Sequence, residues 1–586
     1  MDWQAKLALI AQRNRREIIE AKLSRREMVK LGLLTAAGTL VLKPGLSARA
    51  EGGGGQPSSP PTTPFVTQLP LPVRKSPVPA LSPAPTLSAN TQGGEAARGD
   101  LSFFGAGSGQ YLPLQLFEIH AREAQHVFDP QLPPNTVWGY DGLFPGPIIN
   151  AQYGQPIVVR IHNDLPGNHA GFGIPQISTH LHNGHTGSES DGFPQDFYDT
   201  GLFKDHFYQN QYAGFTTLKQ GSNGSSAADG DPNEALAFLW FHDHRAGFTA
   251  QNVYKGLAGL FTLFDDIDTG DETDIGSTAL RLPSNDPTDQ TRQFDVPLAF
   301  TDKVFDADGQ QFFDMFNTDG ILGDKFLVNG VIQPFFPVAR RKYRFRLLNM
   351  GPSRFYEFFL SNNQPFLQIA NDGNLLPHPV MRQSVRLGVA ERAEIIVDFS
   401  NSRIGDQIFL QNRLEQTDGR GPTGKILNPG TNLLRFDVAR DAADSPPVPA
   451  NLRPLPAIAL DEVKQTRTWE FKRGQGAWEI NDKFFDPNDV RAAVKLNTAE
   501  IWTLKNGGRG WSHPIHIHQE EFQILTRNGR KPPAQDVARK DVATLAPGEE
   551  VTVFKRFRDF TGRYPMHCHN VIHEDHAMML RWDIVP

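Results

Sequence analysis

Cysteine is almost absent from this chain of 586 residues, and the one copy, Cys568, excludes an internal disulfide bond. Basic residues are not in excess, because the chain has 58 Lys and Arg and 65 Asp and Glu. The net charge of -7 therefore gives no sign of the positive charge that binds nucleic acid. No uninterrupted apolar run reaches about 18 residues, so no membrane-spanning helix is expected. Stretches with helical periodicity are scarce as well. The length alone predicts roughly three or four domains.

The first 50 residues are predicted to be an export signal rather than part of the fold. The pair Arg25 and Arg26 precedes an apolar stretch at 31–42, and Ala48 and Ala50 have the spacing of a cleavage site. This pattern is typical of a twin-arginine signal peptide, to which an ordinary amphipathic helix is the alternative. It predicts the twin-arginine export machinery as a partner and a periplasmic or extracellular location. Export of an already folded chain suits a protein that holds a cofactor.

Residues 51–100 form a predicted linker that is rich in Gly, Ser and Pro. The opening "EGGGGQPSSP" has the composition of a flexible tether. The more apolar "FVTQLPLPVRKSPVPAL" favours an extended, polyproline-like arm. We expect this arm to lie against the folded body.

Beyond residue 100 the sequence consists of short β-rich runs broken by Gly, Pro and Asp. A weak repeat joins three regions: "YDGLFPGPIINAQYGQPIVVRIHND" aligns with "LVNGVIQPFFPVARRKYRFRLLNMG" and, more loosely, with "EINDKFFDPNDVRAAVKLNTAEIWTLKNGG". Copies separated by about 150 to 190 residues are whole domains rather than solenoid turns. The sequence therefore predicts an all-β fold of three tandem β-sandwich domains, at 101–268, 290–445 and 456–586.

Histidine is unevenly distributed, because the middle domain holds only His378 of the 18 copies. Four segments, "STHLHNGH", "LWFHDHRAGF", "GWSHPIHIHQEEF" and "YPMHCHNVIH", each contain His-x-His. Residues i and i+2 of a strand point to the same face, so each pair offers two imidazoles side by side, suited to neighbouring metal ions. A lone pair is more often structural, but four pairs in one chain indicate metal binding. The pairs are His180/His182, His242/His244, His516/His518 and His567/His569.

Cys568 lies between two histidines, so its sulfur points to the opposite face of the same strand. Two more histidines and a methionine can join the cysteine's side. A thiolate, two imidazoles and a weak thioether are the ligands of a blue copper electron-transfer site. The eight paired histidines on the other face suit three further ions, two with three ligands and one with two, and one strand would carry electrons between the sites. The residues that join Cys568 are His513, His573 and Met578.

These segments resemble the multicopper oxidases over roughly residues 65–586, with all the candidate ligands in register. "HCHNVIHEDHAMM", "WSHPIHIH" and "DGLFPGPII" are most similar to bilirubin oxidases and related bacterial laccases. The resemblance implies four copper ions, and three cupredoxin-like Greek-key domains with a trinuclear cluster between the first and the third. It implies a type 1 site of Cys568, His513, His573 and Met578, a type 2 site of His180 and His516, and a type 3 pair held by His182, His242, His244, His518, His567 and His569.

Three further positions carry expectations from this resemblance. Asp191 stands where these enzymes have a carboxylate thought to deliver protons to the cluster, and a simple turn residue is the alternative. Trp511 stands where bilirubin oxidases have a tryptophan against the type 1 histidine that affects substrate oxidation, and core packing is the alternative. Ile572 departs from the spore-coat laccase and cuprous oxidase pattern, which has glutamate there, and puts a proton route from that side in doubt.

The resemblance implies a copper oxidase that couples one-electron oxidation of a donor to four-electron reduction of O2 to water. The axial Met578 should lower the type 1 potential, which favours phenols, aromatic amines or bilirubin-like pigments as donors, with His513 as the exit toward substrate. Oxidation of Mn(II), Fe(II) or Cu(I) is the alternative: as surface residues near the type 1 site, Glu574 and Asp575 could attract such cations, although acidic surface residues more often serve solubility. Eight methionines without a run argue against a Met-rich Cu(I) site. A copper-free envelope scaffold and a copper nitrite reductase are more remote alternatives.

Overall fold

The computed structural model describes residues 56–104, 115–169, 171–219, 228–286, 289, 292–474, 476–508 and 510–586. The predicted signal peptide, residues 1–50, lies outside these ranges, as do the first residues of the predicted linker. No helix within the described ranges is both long enough and apolar enough to cross a membrane.

The first pair of sheets is built from the segment that follows the arm. One sheet has the strand order β2-β1-β4-β8 and the other β3-β10-β9-β6, and β5 pairs with β7. Two short helices, α1 (Ser188–Asp191) and α2 (Thr249–Lys255), lie between strands of this pair. The strands are β1 (Gln115–His126), β2 (Asn135–Tyr140), β3 (Ile148–Gln152), β4 (Ile157–Asn163), β5 (Gln176–Ile177), β6 (Thr179–His182), β7 (Tyr198–Asp199), β8 (Phe203–Tyr208), β9 (Phe238–Asp243) and β10 (Ala258–Phe264).

The second pair consists of an eight-stranded and a five-stranded sheet. The larger sheet runs β14-β13-β11-β16-β21-β18-β19 with β12 beside β11, and the smaller runs β15-β23-β22-β17-β20. The strands are β11 (Asp295–Phe305), β12 (Gln311–Phe312), β13 (Lys325–Val328), β14 (Val331–Ile332), β15 (Phe335–Arg340), β16 (Lys342–Asn349), β17 (Tyr356–Leu360), β18 (Phe366–Asn371), β19 (Asn374–Arg382), β20 (Val385–Leu387), β21 (Arg392–Asp398), β22 (Gln407–Leu414) and β23 (Ile426–Asp441).

The third pair contains a six-stranded sheet, β25-β24-β27-β32-β29-β30, and a five-stranded sheet, β26-β34-β33-β28-β31. Helix α3 (Val571–Asp575) follows β33. Single 3-10 turns lie at Thr91–Gly93, Pro232–Glu234, Leu460–Glu462 and Ala534–Asp536. The strands are β24 (Val463–Gly474), β25 (Ala477–Ile480), β26 (Val490–Lys495), β27 (Thr498–Asn506), β28 (His513–Ile517), β29 (Phe522–Arg527), β30 (Arg539–Lys540), β31 (Val542–Leu545), β32 (Glu550–Phe557), β33 (Gly562–Cys568) and β34 (Met579–Val585).

Alternation of side chains along the strands explains why each pair of sheets closes over one core. On β1, Phe117, Ile119 and Ala121 are buried, whereas Glu118 and His120 between them are partly exposed. Each pair of sheets surrounds its own buried apolar cluster, so the chain forms three sandwiches in tandem. The all-β prediction is therefore confirmed. The strands of the three pairs lie within 101–268, 290–445 and 456–586.

The described part of the predicted linker lies against the body as an extended arm. The backbone N–H of Leu69 donates to the carbonyl of Phe335 at 2.7 Å, so the arm covers the edge strand of the smaller middle sheet. Lys75 N–H then donates to Ile148 at 2.8 Å, on the edge strand of a sheet of the first pair. Leu69 is buried in the middle core. The arm thus satisfies exposed edges of two different sandwiches.

Candidate metal centres

The strand register brings the four His-x-His pairs together. On the first sandwich, β6 and β9 are antiparallel and place His180 opposite His242. On the third, β28 and β33 are antiparallel and place His516 opposite His567. All residues of β6, β9 and β28 are buried, which indicates that these strands face one another across the interface between the two sandwiches. The eight imidazoles therefore lie together in the interior.

The Nε2 atoms of three of these rings form a compact triangle. The Nε2 atom of His244 lies 3.3 Å from that of His518 and 3.2 Å from that of His567, and the last two are 3.2 Å apart. The centre of such a triangle is about 1.9 Å from each corner, close to the nitrogen–metal bond length of a first-row ion. The triangle therefore fits a metal ion with three imidazole ligands.

Three other rings surround a second position. The ring centroid of His182 lies 5.8 Å from that of His242 and 5.1 Å from that of His569, and the last two are 5.2 Å apart. Within the described part of the chain, His182 Nδ1, His242 Nε2 and His569 Nε2 are buried without a hydrogen-bond partner. A buried polar atom left unpaired costs about 1–3 kcal/mol, so three converging ones call for a ligand. A cation bound by three imidazoles would satisfy them.

The remaining two paired histidines face each other. The Nε2 atoms of His180 and His516 are 3.4 Å apart. The outer nitrogen of each ring is fixed by a backbone carbonyl: His180 Nδ1 lies 2.6 Å from the oxygen of Asp191, and His516 Nδ1 lies 2.9 Å from that of Asp541. These contacts hold the two inner nitrogens toward each other, as a two-imidazole metal site requires.

A separate site lies on the other face of β33. Cys568 Sγ is 3.6 Å from His513 Nδ1 and 3.5 Å from His573 Nδ1, and the two nitrogens are 3.2 Å apart. Met578 is fully buried in the same apolar cluster as Cys568, and its carbonyl accepts the Cys568 N–H at 3.1 Å. The structure thus places the sulfur with His513 and His573, whereas the rings of His567 and His569, which flank it in sequence, belong to the other group of imidazoles.

Burial prepares these ligands for a metal ion. Desolvation is the main cause that lowers the pKa of eight of the imidazoles, which keeps them neutral and able to donate a lone pair. The same burial raises the pKa of the Cys568 thiol, so binding of a metal ion there must displace the thiol proton. The imidazoles with a lowered pKa are His182, His242, His244, His513, His516, His518, His569 and His573.

Asp191 touches two of the clusters. It ends helix α1 and is fully buried, with Oδ2 2.9 Å from His518 Nδ1 and its carbonyl on His180. Its other oxygen, Oδ1, has no hydrogen-bond partner among the described residues. The carboxylate of Asp191 therefore orients His518, and its backbone carbonyl orients His180.

Glu574 and Asp575 are not surface residues, and the expectation that they lie at the surface is wrong. Both are buried, because α3 turns them into the interface between the first and third sandwiches. Glu574 Oε1 lies 3.2 Å from His244 Nδ1, and Oε2 lies 3.0 Å from His567 Nδ1. Burial acts to raise the pKa of Glu574, but the two imidazoles outweigh it and lower this pKa to about 2. Helical periodicity after His569 would have been the signal to find this contact.

The middle sandwich also contacts the site, through Arg392, which pairs with Asp541 of the third sandwich. Neither residue was identified from the sequence. Asp541 Oδ1 lies 3.2 Å from His182 Nε2. Arg392, at the start of β21, donates to both oxygens of this carboxylate, at 2.8 and 2.6 Å. Burial raises the pKa of Asp541, and the guanidinium of Arg392 opposes that rise. The sequence carries no local signal for this pair, because its members are 149 positions apart.

Two tryptophan rings lie one behind the other outside the cysteine site. Trp478, also missed from the sequence, lies 3.9 Å from the His573 ring and 5.4 Å from the His513 ring, centroid to centroid. Trp511 lies 5.2 Å from Trp478 and is half-buried, with the Arg420 guanidinium 4.7 Å from its ring centroid. The predicted influence of Trp511 on substrate oxidation would therefore act through Trp478.

The Nε2 atoms of His513 and His573 differ in their hydrogen-bond partners. His573 Nε2 lies 2.9 Å from the carbonyl oxygen of Asp319, on a loop of the middle sandwich. His513 Nε2 is buried without a hydrogen-bond partner within the described ranges. Neither ring reaches solvent, so His513, the predicted exit toward substrate, does not itself meet a donor at the surface.

Comparison with known proteins agrees with this arrangement. Residues 122–195 and 456–586 match family models described as multicopper oxidase. Bilirubin oxidase of Albifimbria verrucaria is 34% identical over 477 residues, covering 79% of this chain and 75% of its own length. Laccase of Bacillus subtilis is 31% identical over 530 residues, covering 80% of this chain and 94% of its own length. A crystal structure of laccase from Pediococcus acidilactici shares the fold, with a TM-score of 0.70, 24% identity and coverage of 94% and 100% of the two chains. The chain belongs to the multicopper oxidase family, whose members are copper enzymes that use O2 as electron acceptor.

Proposed function

We propose that the protein is a laccase-like or bilirubin-oxidase-like enzyme with four copper ions. The type 1 ion would be held by Cys568, His513, His573 and Met578, and the type 2 ion by His180 and His516. One type 3 ion would be held by His182, His242 and His569, and the other by His244, His518 and His567. The observation that carries this proposal is the segment 567–569 at the end of β33, in which the Cys568 sulfur and the two flanking imidazoles join separate clusters.

When bound, the copper ions supply a one-electron acceptor at Cys568 and a four-electron donor to O2, which with four protons gives two molecules of water. The protein itself connects the two copper centres and delivers protons to the cluster. The peptide from Cys568 to His567 and His569 links the two centres by covalent bonds alone. Asp191 lies against a ligand of the cluster, where a carboxylate can pass protons inward, whereas Glu574, with its lowered pKa, orients His244 and His567.

Replacement of the cysteine tests this assignment. We expect Cys568→Ser to bind about three copper ions instead of about four, and to lose both the blue absorption band and oxidase turnover. Met578→Leu is the matched control, because removal of a weak axial ligand should keep the blue band and raise the type 1 potential. A copper-loaded Cys568→Ser variant that stays blue and active would overturn the assignment.

The chemistry around Trp511 supports an organic donor. The guanidinium of Arg473 lies 5.5 Å from the Trp511 ring and that of Arg420 lies 4.7 Å from it. Asp319 pairs with Arg473 at 2.9 Å and with Arg420 at 3.4 Å, so its charge is compensated. The cluster thus offers an aromatic ring with positive charge, which suits an aromatic donor that is electron-rich or anionic. Two relatives are named bilirubin oxidase and laccase, in agreement with such donors.

Oxidation of Mn(II), Fe(II) or Cu(I) is the second candidate. Its support from acidic surface residues is lost, because Glu574 and Asp575 are buried. Rates with a phenol, bilirubin and Mn(II), measured on one copper-loaded sample, separate the classes: we expect the two organic donors to be oxidised and Mn(II) to be oxidised far more slowly. The reverse order would favour the metal-ion oxidase. Copper analysis tests the remoter alternatives, since a scaffold would hold none and a nitrite reductase two.

Export is the last part of the proposal and depends on the sequence alone. Arg25 and Arg26 before the apolar stretch at 31–42 support the twin-arginine route to the periplasm or the medium. Replacement of both arginines by lysine should leave the protein inside the cell with its signal peptide uncleaved. Unchanged export of this variant would exclude the route.

A further inference from the structure

A second group of metal-binding side chains lies outside the copper centres, on the first sandwich. Glu118 and His120 are two residues apart on β1 and so point to the same face of the sheet. The parallel register of β1 and β4 places His162 directly beside His120. Asp164 follows β4 by one residue. These side chains are one-fifth to one-half exposed, so an ion from solution can reach them.

The contacts within this group are close. His162 Nε2 lies 3.0 Å from Glu118 Oε1, and His120 Nδ1 lies 2.6 Å from Asp164 Oδ2. The two imidazole rings stack with centroids 4.5 Å apart and an interplanar angle of 6°. One ligand atom each from Glu118, His120 and His162 can be chosen so that all three lie within 4.8 Å of one another.

Two independent surface ion pairs are a poor explanation for this arrangement. Two imidazolium rings stacked face to face would repel each other, so both cannot be charged without cost. Burial lowers the pKa of His162 and is the largest cause; the hydrogen bond with Glu118 acts against it, and the neighbouring His120 lowers the pKa as well. A neutral ring beside a carboxylate keeps a lone pair for a metal ion. The Asp164 carboxylate in turn fixes the His120 Nδ1 proton, which leaves Nε2 as a donor atom, in the manner of carboxylate–histidine–metal triads.

We propose that Glu118, His120 and His162 form a surface site for one divalent transition-metal ion such as Zn(II) or Cu(II). Two imidazoles and one carboxylate with open positions suit such an ion, and water can complete its coordination. Asp164 acts as a positioning residue for His120.

Zinc binding to the copper-loaded enzyme tests this proposal, because Zn(II) alone is redox-inert and colourless. Isothermal titration should give about one zinc ion per chain for the wild type. We expect the double variant His120→Ala/His162→Ala to lose this binding, and Asp164→Asn to weaken it by about 10–100-fold. His378→Ala is the control, since this exposed histidine of β19 has only a backbone carbonyl as its recorded contact, and its removal should leave zinc affinity unchanged.

The blue band and the rate of phenol oxidation serve as checks of folding and should be unchanged in all three variants. The proposal fails if the wild type binds no zinc, if the double variant binds it as tightly as the wild type, or if His378→Ala reduces binding as much as the double variant does. Asp164→Asn keeps the size of the side chain, so it provides a readout even if the double variant does not fold.

Discussion

Arg392 offers the sharpest test of how the middle sandwich supports the proposed trinuclear site. Its guanidinium is fully buried and donates to both oxygens of Asp541, at 2.8 and 2.6 Å. Asp541 in turn contacts His182 through its side chain and His516 through its carbonyl. Replacement of Arg392 by methionine removes both charged hydrogen bonds and leaves a carboxylate buried beside two ligands.

The size of the effect follows from these contacts. Two hydrogen bonds to a charged group are worth about 3–6 kcal/mol together, and breaking a buried ion pair from one side costs about 3–5 kcal/mol. Outer partners of metal ligands typically change metal affinity by about 10–100-fold. We therefore expect Arg392→Met to lower the free energy of unfolding by ~4 kcal/mol and to lose copper from the trinuclear cluster during dialysis against a chelator. The Cys568 site should keep its copper and its blue band.

Arg346→Met is the matched control. Arg346 is an equally buried arginine of the middle sandwich, with a bidentate pair to Asp295 at 2.7 Å, but its carboxylate partners are not in contact with an imidazole. It should lose similar stability, measured by chemical denaturation, without the selective loss of cluster copper. Equal copper content in the two variants would refute the idea that Arg392 acts through Asp541, and would leave Arg392 a purely structural residue.

Two further predictions concern groups outside the ligand set. Burial lowers the pKa of His206 to about 3, so the unfolded chain takes up a proton that the folded chain refuses, and stability falls as pH drops from 6.5 toward 3. This loss amounts to about 2 kcal/mol at pH 5, and His206→Gln should flatten the pH dependence of the urea midpoint; an unchanged slope would contradict it. Asp575 accepts the N–H groups of Thr249 and Ala250, at 3.0 and 2.9 Å, so Asp575→Ala should cost about 1–2 kcal/mol of unfolding free energy. Asp575→Asn, which keeps an acceptor, should cost less, and equal losses would exclude capping as the cause.

The ligands could be predicted from the sequence because their geometry is local. A pair such as His180 and His182, both on β6, needs only the two-residue period of a strand to present both rings to one side. The same period turns the Cys568 sulfur away from His567 and His569. Three sandwiches followed from runs of β-rich residues and a weak repeat, and each pair of sheets arises from one continuous segment.

The supporting residues could not be predicted in this way. Arg392 and Asp541 meet through the packing of two different sandwiches, so neither position carries a periodic signal. Trp478 lies on β25, in a stretch without histidine, and its ring meets that of His573 on helix α3, 95 positions further along the chain. The first contact depends on how two sandwiches pack together and the second on how distant elements of one sandwich meet, and local spacing encodes neither.

The isoleucine at position 572 illustrates why the local structure decides what a motif means. Read as strand, the segment after His569 offers no carboxylate to the cluster, since Ile572 stands where related enzymes have glutamate. The segment is instead the helix α3, in which residues two apart point about 200° away from each other. Ile572 therefore enters an apolar cluster with Phe172 and Phe248, while Glu574 turns to the imidazoles of the first and third sandwiches. A carboxylate reaches the cluster from this side after all, and a glutamate introduced at 572 would face the apolar cluster instead.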